Sequence, residues 1–360
     1  MRELRSSCTI GMESSSPTLV PPRIWGDIRA LAKSLLAGLI VLGCMHRSLA
    51  AQDPPDSPPS TGCLIVNVID SHGNPIRNLT RENFALFLNG KPAVVTNARY
   101  RLAPHRIIVL LDVSGSMAGE TSSSKWRIAE EAVRDLLAQT EPAVPVAMIT
   151  FASEVQTRFD FRQDRTAILS WLLQNIDGPP KLKKKKTAVF DAIESALELL
   201  GNAQRGDAIY AITDGGDNAS GLSAHKVEED LLRSGVRLFS LLFAGPVLPQ
   251  EAQGEDDFAG MIQNSGGQAF VVPGTRIPGV PWDAQYTYDR ANRENIKAYT
   301  TALNIQINGF WTLDLEPMSL GLGKVKLMVT DHRRKELKNV MVTYPRRLLS
   351  ANESLQKRNR

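Results

Sequence analysis

From residue 106 to residue 272, short continuous apolar runs alternate with segments in which apolar residues recur every three to four positions. The runs at 107–111 (IIVLL), 144–151, 207–213 and 236–243 have the length of strands covered on both faces. The segments between them read as helices. At 125–139 the residues Ile128, Ala132, Leu136 and Leu137 share one side; 166–174, 187–200 and 258–263 follow the same rule, and 223–233 adds Ser223 as an N-cap. An edge strand is expected at 269–272. Strands that alternate with helices predict an α/β fold: a doubly wound, mostly parallel sheet flanked by helices. The flanks follow another pattern. A β-branched run at 64–70, an HGNP turn and strands at 84–88 and 93–98 about Asn89-Gly90 predict a small β-rich piece at 63–104. It is too small to hold a core of its own. After a Pro- and Gly-containing loop at 273–290, a helix at 294–303 and strands at 312–315, 324–330 and 340–343 predict a C-terminal helix and strand extension over 273–345. A polar tail, 346–360, is expected to fray.

The first 62 residues carry a different signal. An apolar run at 34–44, SLLAGLIVLGC, follows Arg23, Arg29 and Lys33. It has the length of an export-signal core and is short for a bilayer span. Ser48-Leu49-Ala50 supplies small residues for a cut after Ala50, so residues 1–50 read as an export signal region, with Met12 as an alternative start. Two other readings stay open: a lipid attached at Cys44, within a lipobox-like VLGC, or retention of the segment as a membrane anchor. All three put residue 51 onward outside the cytoplasm, in the periplasm, the cell envelope or the medium. The stretch 51–62, AQDPPDSPPSTG, reads as a solvated linker.

Composition narrows the function. The chain has 360 residues, 42% hydrophobic and 22% charged, with Gly and Pro at ordinary levels. That excludes a disordered, collagen-like or polytopic membrane protein. The net charge is +4, and losing residues 1–50 removes six basic and three acidic residues and leaves +1. Neither value points to a nucleic-acid partner. Cys8, Cys44 and Cys63 are too few for a disulfide scaffold or a cysteine-ligated zinc.

The candidate chemistry lies where the apolar runs end. The strand at 107–111 leads into Asp112-Val113-Ser114-Gly115-Ser116, where a tight turn at Gly115 lets Asp112, Ser114 and Ser116 present oxygens together. Thr187 opens a later helix and adds a hydroxyl. Asp214 ends another strand and adds a second carboxylate. Hard oxygen donors suit Mg²⁺ or Mn²⁺, with Ca²⁺ also possible. Their place at the carboxyl ends of parallel strands is where open α/β sheets hold ligands. DVSGS, TAVFDAI and ITDGGDN, in this order, resemble the von Willebrand factor A family and its metal-ion-dependent adhesion site, over roughly residues 105–272. The flanking segments resemble those of exported bacterial members of that family, common in acidobacteria. The resemblance implies one divalent ion on Asp112, Ser114, Ser116, Thr187 and Asp214. It also implies a protein partner that offers an Asp or Glu carboxylate to the ion, and no catalysis. The chain departs from the family pattern at Lys181, Lys183, Lys184, Lys185 and Lys186, just before Thr187. These lysines would repel an ion and attract an acidic partner, or simply form a solvated loop.

Catalytic readings have less support. None of His46, His72, His105, His225 and His332 falls in these loops to activate a serine. GSMAGE lacks the Lys-Ser/Thr of a phosphate loop. Asp217 and Asn218 read as an Asx turn or as tuners of the third loop. The expected function is metal-dependent protein binding without enzyme activity. The alternative is a structural or assembly factor of the cell envelope whose metal site is incidental or vestigial. Any membrane contact would come through the N-terminal anchor or lipid alone.

Overall fold

In the computed structural model, residues 62–117, 125–180, 186–243, 249–272, 275–276, 286–287, 290–316 and 323–348 are described. The export-signal region, Cys44, most of the linker, Lys181, Lys183, Lys184, Lys185 and the tail from 349 lie outside them. The chain opens with β1 (Cys63–Asp70), β2 (Phe84–Leu88), β3 (Lys91–Ala93) and β4 (Val95–Arg101). The α/β part follows with β5 (Ile107–Asp112), α1 (Lys125–Gln139), β6 (Val146–Phe151), β7 (Val155–Phe159), α2 (Arg165–Gln174) and α3 (Val189–Leu200). It continues with β8 (Ala208–Thr213), α4 (Ala224–Ser234), β9 (Arg237–Phe243), α5 (Pro249–Ser265) and β10 (Ala269–Val272). The last elements are β11 (Thr275–Arg276), β12 (Tyr286–Thr287), α6 (Arg290–Asn308), β13 (Phe310–Leu315), β14 (Gly323–Val329), β15 (Val340–Thr343) and β16 (Arg347–Leu348).

The central sheet has six strands in the order β10-β9-β8-β5-β6-β7. The pairs from β10 to β6 are parallel and β7 returns antiparallel at the edge. Strand alternation gives the sheet two apolar faces. Ile107, Val109 and Leu111 pack with α1, α2 and α6, and Ile108 and Leu110 pack with α3, α4 and α5. The expected fold class is therefore present. Ser223 caps α4 as expected, accepting from the Lys226 N–H at 3.4 Å, and Gly235 ends it in the left-handed conformation with φ 67°.

Several elements differ from their sequence reading. Strand β7 (VQTRF) is not announced by an apolar run, because an edge strand needs only one covered face. Helix α5 begins well before residue 258, since its N-terminal half is polar and its large buried apolar residues, Phe258, Met261 and Ile262, sit near its end. Helix α3 starts at Val189, so Thr187 precedes the helix instead of opening it. The run at 93–98 divides into β3 and β4, which enter different sheets. Part of the polar tail is also ordered, because Arg347 and Leu348 pair with Lys324 and Gly323.

The larger difference concerns the two flanks, which build one structure together. Strands β15-β1-β13-β4 form one four-stranded sheet and β16-β14-β2-β3 another. Each sheet mixes strands from before and after the α/β part. Leu64, Val66 and Val68 of β1, Leu86 of β2, Leu313 of β13 and Leu327 of β14 share one buried core between the sheets. Trp311 sits within it, with ring centroids 5.6 Å from Phe84 and 5.5 Å from Tyr100. Its Nε1–H donates to the Ile76 carbonyl at 2.9 Å. The piece at 63–104, too small to stand alone, thus obtains its second half from the far end of the chain. Helix α6 belongs elsewhere: Ile296, Leu303 and Ile307 pack on the central sheet.

The sandwich and the α/β part meet at Arg237, which is wholly buried at the start of β9. Its guanidinium donates to the Gln306 carbonyl at 3.0 Å and the Ile307 carbonyl at 3.2 Å, at the C-terminal end of α6. It also donates to Asn67 Oδ1 at 3.3 Å. Asn67, in β1, donates to the Gln306 and Gly309 carbonyls at 2.9 and 2.7 Å. Burial pulls the Arg237 guanidinium down to about 9, partly opposed by Asp207, so it stays charged at neutral pH.

If the flanks form one sandwich core, Trp311→Ala should cost about 3–5 kcal/mol of stability. Urea denaturation measures the cost. Hydrogen exchange should show protection lost in β1 and β2 as well as in β13 and β14. Loss confined to β13 would contradict a shared core.

Candidate metal centre

Five parallel strands end on one edge of the central sheet, and the loops leaving β5 and β8 meet there because those strands are neighbours. Asp112 is the last residue of β5 and is fully buried. Its Oδ1 accepts from the Ser114 N–H at 2.7 Å, which turns the chain back over the carboxylate. Residues Gly115–Met117 then form a single 3-10 turn, closed by the Met117 N–H donating to the Ser114 carbonyl at 3.1 Å. Gly115 is not among the residues with positive φ, so the turn does not draw on its conformational freedom.

Side-chain oxygens link the loops. Ser114 Oγ and Ser116 Oγ lie 2.9 Å apart, and Ser116 Oγ donates to Asp214 Oδ1 at 3.1 Å. Asp112, Ser114, Ser116 and Asp214 are thus brought together. Thr187 reaches the same edge through its backbone. Its N–H donates to Asn218 Oδ1 at 2.8 Å, and its carbonyl accepts from the Asn218 N–H at 2.9 Å. The following Ala188 N–H donates to the Ala152 carbonyl at 2.7 Å, just past the end of β6. Thr187 is buried, and Lys186 beside it is exposed.

Four further residues take part, and three of them lie within ITDGGDN. Thr213 Oγ1 donates to Asp112 Oδ2 at 2.6 Å from a fully buried position. Its place directly before Asp214 is the one signal the sequence offers. Asn218 ties the Thr187 loop to the Asp214 loop, and Asp217 accepts from the Phe190 N–H at 3.3 Å and from Ser220 Oγ at 2.5 Å. Asp217 and Asn218 are therefore turn residues that also hold α3 in place. The fourth is Lys125, the first residue of α1, whose Nζ donates to Asp214 Oδ2. It is 11 residues beyond Ser114 in the chain, and no local pattern marks it.

The donor set fits a hard divalent cation. Two carboxylates and three hydroxyl-bearing residues offer oxygen alone. Among the described residues no cluster of three or more His, Cys, Asp or Glu side chains forms a metal cage, so hydroxyls would have to complete the shell. The electrostatics agree with that fit. Burial, with the negative charge of Asp214 second, pushes the Asp112 carboxyl up to about 7 against the hydrogen bonds from Thr213 and Ser114. A cation would relieve both causes.

The sign of the stability effect follows from this shift. The folded protein holds the Asp112 proton up to about 7, whereas the unfolded chain releases it near the ordinary aspartate value of 3.8. The contribution is full below the unfolded value and is lost as pH rises through the folded one. In chelator, Asp112→Asn should therefore melt several degrees above the unmutated protein at pH 8. The gap should shrink as pH falls toward 4, as read by calorimetric melting curves. An equal or lower melting temperature at pH 8 would contradict the buried-charge account.

Residues 107–216 match the family model of the von Willebrand factor type A domain. No curated protein sequence matches the chain. Among solved structures, the conserved hypothetical protein BatB from Bacteroides thetaiotaomicron is 20% identical, covering 56% of this chain and 98% of that one, with a TM-score of 0.38. Human COPII-coat protein Sec24c is 11% identical over 70% of this chain and 46% of its own, at a TM-score of 0.43. Proximal thread matrix protein 1 from the mussel byssus is 14% identical over 61% and 50%, at 0.45. By the family match and the strand and helix order over the same residues, the chain carries a von Willebrand factor type A domain at 107–216.

Proposed function

We propose that this chain binds a protein partner through a divalent metal ion held at the carboxyl edge of the six-stranded sheet. The observation that carries the reading is the meeting of Ser114, Ser116 and Asp214 through hydrogen-bonded side-chain oxygens from two loops, with the Asp112 carboxylate joined to them by the Ser114 backbone N–H. A von Willebrand factor type A domain suggests a protein-interaction or assembly role, and such domains are typically not enzymes. In the proposal Asp112, Ser114 and Ser116 hold Mg²⁺ or Mn²⁺ (Ca²⁺ suits the same donors). Thr187 and Asp214 complete the shell directly or through water. The ion, when bound, supplies a positive charge that a partner's Asp or Glu carboxylate can meet. Asp112 anchors the ion, Thr213 fixes the orientation of that carboxylate, and the protein assists no bond-breaking step. An extracytoplasmic location belongs to the proposal and rests on the sequence of residues 34–50.

A second reading has one observation in its favour. Lys125 already supplies Asp214 with a positive partner. That suits an assembly factor that binds its partners by another surface and whose metal site is incidental.

Calorimetric titration of Mg²⁺ and Mn²⁺ into the full chain should show one site that disappears in Asp112→Ala. Capture of an acidic protein partner should fail in chelator and in the same variant. Capture that ignores both would favour the second reading. Thr213→Val removes the hydroxyl that positions Asp112 while leaving every proposed ligand, and should weaken Mn²⁺ binding by about 10- to 100-fold. Unchanged affinity would remove Thr213 from the site.

A further inference from the structure

Asp214 has a charged neighbour that the metal site does not require. Lys125 Nζ donates to its Oδ2, and Ser116 Oγ donates to its Oδ1 at 3.1 Å. Both oxygens of this carboxylate already accept a hydrogen bond from within the chain. The ion pair is largely withdrawn from solvent, with side chains 16% and 8% exposed. Screening by salt is therefore weaker than for a surface pair.

The position of Lys125 is unfavourable without that partner. It begins α1, and the N-terminal end of a helix carries partial positive charge. The first turn of α1 holds no acidic residue to balance a lysine there. Asp214, from a loop 89 residues further along the chain, supplies the balance.

We propose that Lys125 is the built-in counter-cation of this site, holding Asp214 when no divalent ion is bound and setting how tightly the site takes one. The inference rests on the metal-binding reading of the preceding section. Its physical basis is charge. The Asp214 carboxylate stands beside Asp112 in the site and would attract an incoming ion, and Lys125 offsets its charge. Direct ligation by Asp214 Oδ2 further requires the ammonium to leave that oxygen. Lys125 thus lowers affinity twice over, by reducing the attraction and by occupying a ligand. In return it keeps the Asp214 carboxylate from standing without a positive partner at the sheet edge of the ion-free protein.

The test is Mn²⁺ titration of the full chain at low ionic strength, with free Mn²⁺ followed by electron paramagnetic resonance. The unmutated protein is compared with Lys125→Met, Lys125→Gln and Lys125→Arg. Met and Gln remove the charge with different side chains, so one misfolded variant does not decide the outcome. Both should bind Mn²⁺ roughly tenfold more tightly, a change of about 1.4 kcal/mol. Arg should stay near the unmutated affinity. In chelator the two neutral variants should melt below the unmutated protein, and Mn²⁺ should raise their melting temperatures by more. Equal or weaker binding by the neutral variants beside normal binding by the unmutated protein would overturn the role of Lys125 and leave the metal site standing. Binding by the neutral variants alone would support the role of Lys125 and overturn metal binding by the native chain. Binding by none of them would overturn both.

Discussion

The guanidinium of Arg237 is the point at which the parts of this molecule are joined. It is buried at the start of β9, and its hydrogen bonds reach the last carbonyls of α6 and the amide of Asn67 in β1. A helix leaves its final carbonyls without partners, and their partial negative charge favours a cation. Arg237 meets both needs at once, and its ring contacts with Phe239 and Phe310, 5.1 and 4.3 Å from the centroids, fill the space around it. Since Asn67 shares the Gln306 carbonyl, the sheet, the helix and the sandwich converge on one small polar cluster. Removing a partner there would strand buried carbonyls, which is costlier than losing an exposed bond.

This junction helps to explain the chain order. The α/β part is inserted between the strands that build the two sandwich sheets. Strand β4 leads into β5, and α6 leads back from the central sheet into β13, which pairs with both β1 and β4. The inserted part therefore enters and leaves beside the same sheet. Its opposite edge, where the strands end at Asp112 and Thr213, is left to the loops. There the balance is electrostatic. Buried Asp112 and Asp214 repel one another, Thr213 and Ser114 steady the first, and Ser116 and Lys125 hold the second. These contacts keep the oxygens of both loops together at the sheet edge.

Much of this was legible in the residues alone. The apolar runs at 107–111 and 236–243 announce strands covered on both faces, and the three-to-four spacing at 125–139 announces a helix, because burial of one face imposes those periods. The Asp-x-Ser-x-Ser turn and Asp214 stand out because a strand end followed by oxygen-bearing residues is a local feature, whereas Thr187, expected to open a helix, precedes it. What no local pattern carries is pairing between distant segments. Strands β1 and β13 meet across more than 240 residues, so two flanks that each look too small for a core form a single one only after folding. Lys125 and Asn218 acquire their roles in the same way, through charge and hydrogen bonding to loops far along the chain. The residue pattern alone specifies most of the elements, the faces they bury and the oxygens at the strand ends. How the flanks pair, what caps α6 and which cation stands against Asp214 emerge from folding, since each depends on distances that exist only once the chain has closed on itself.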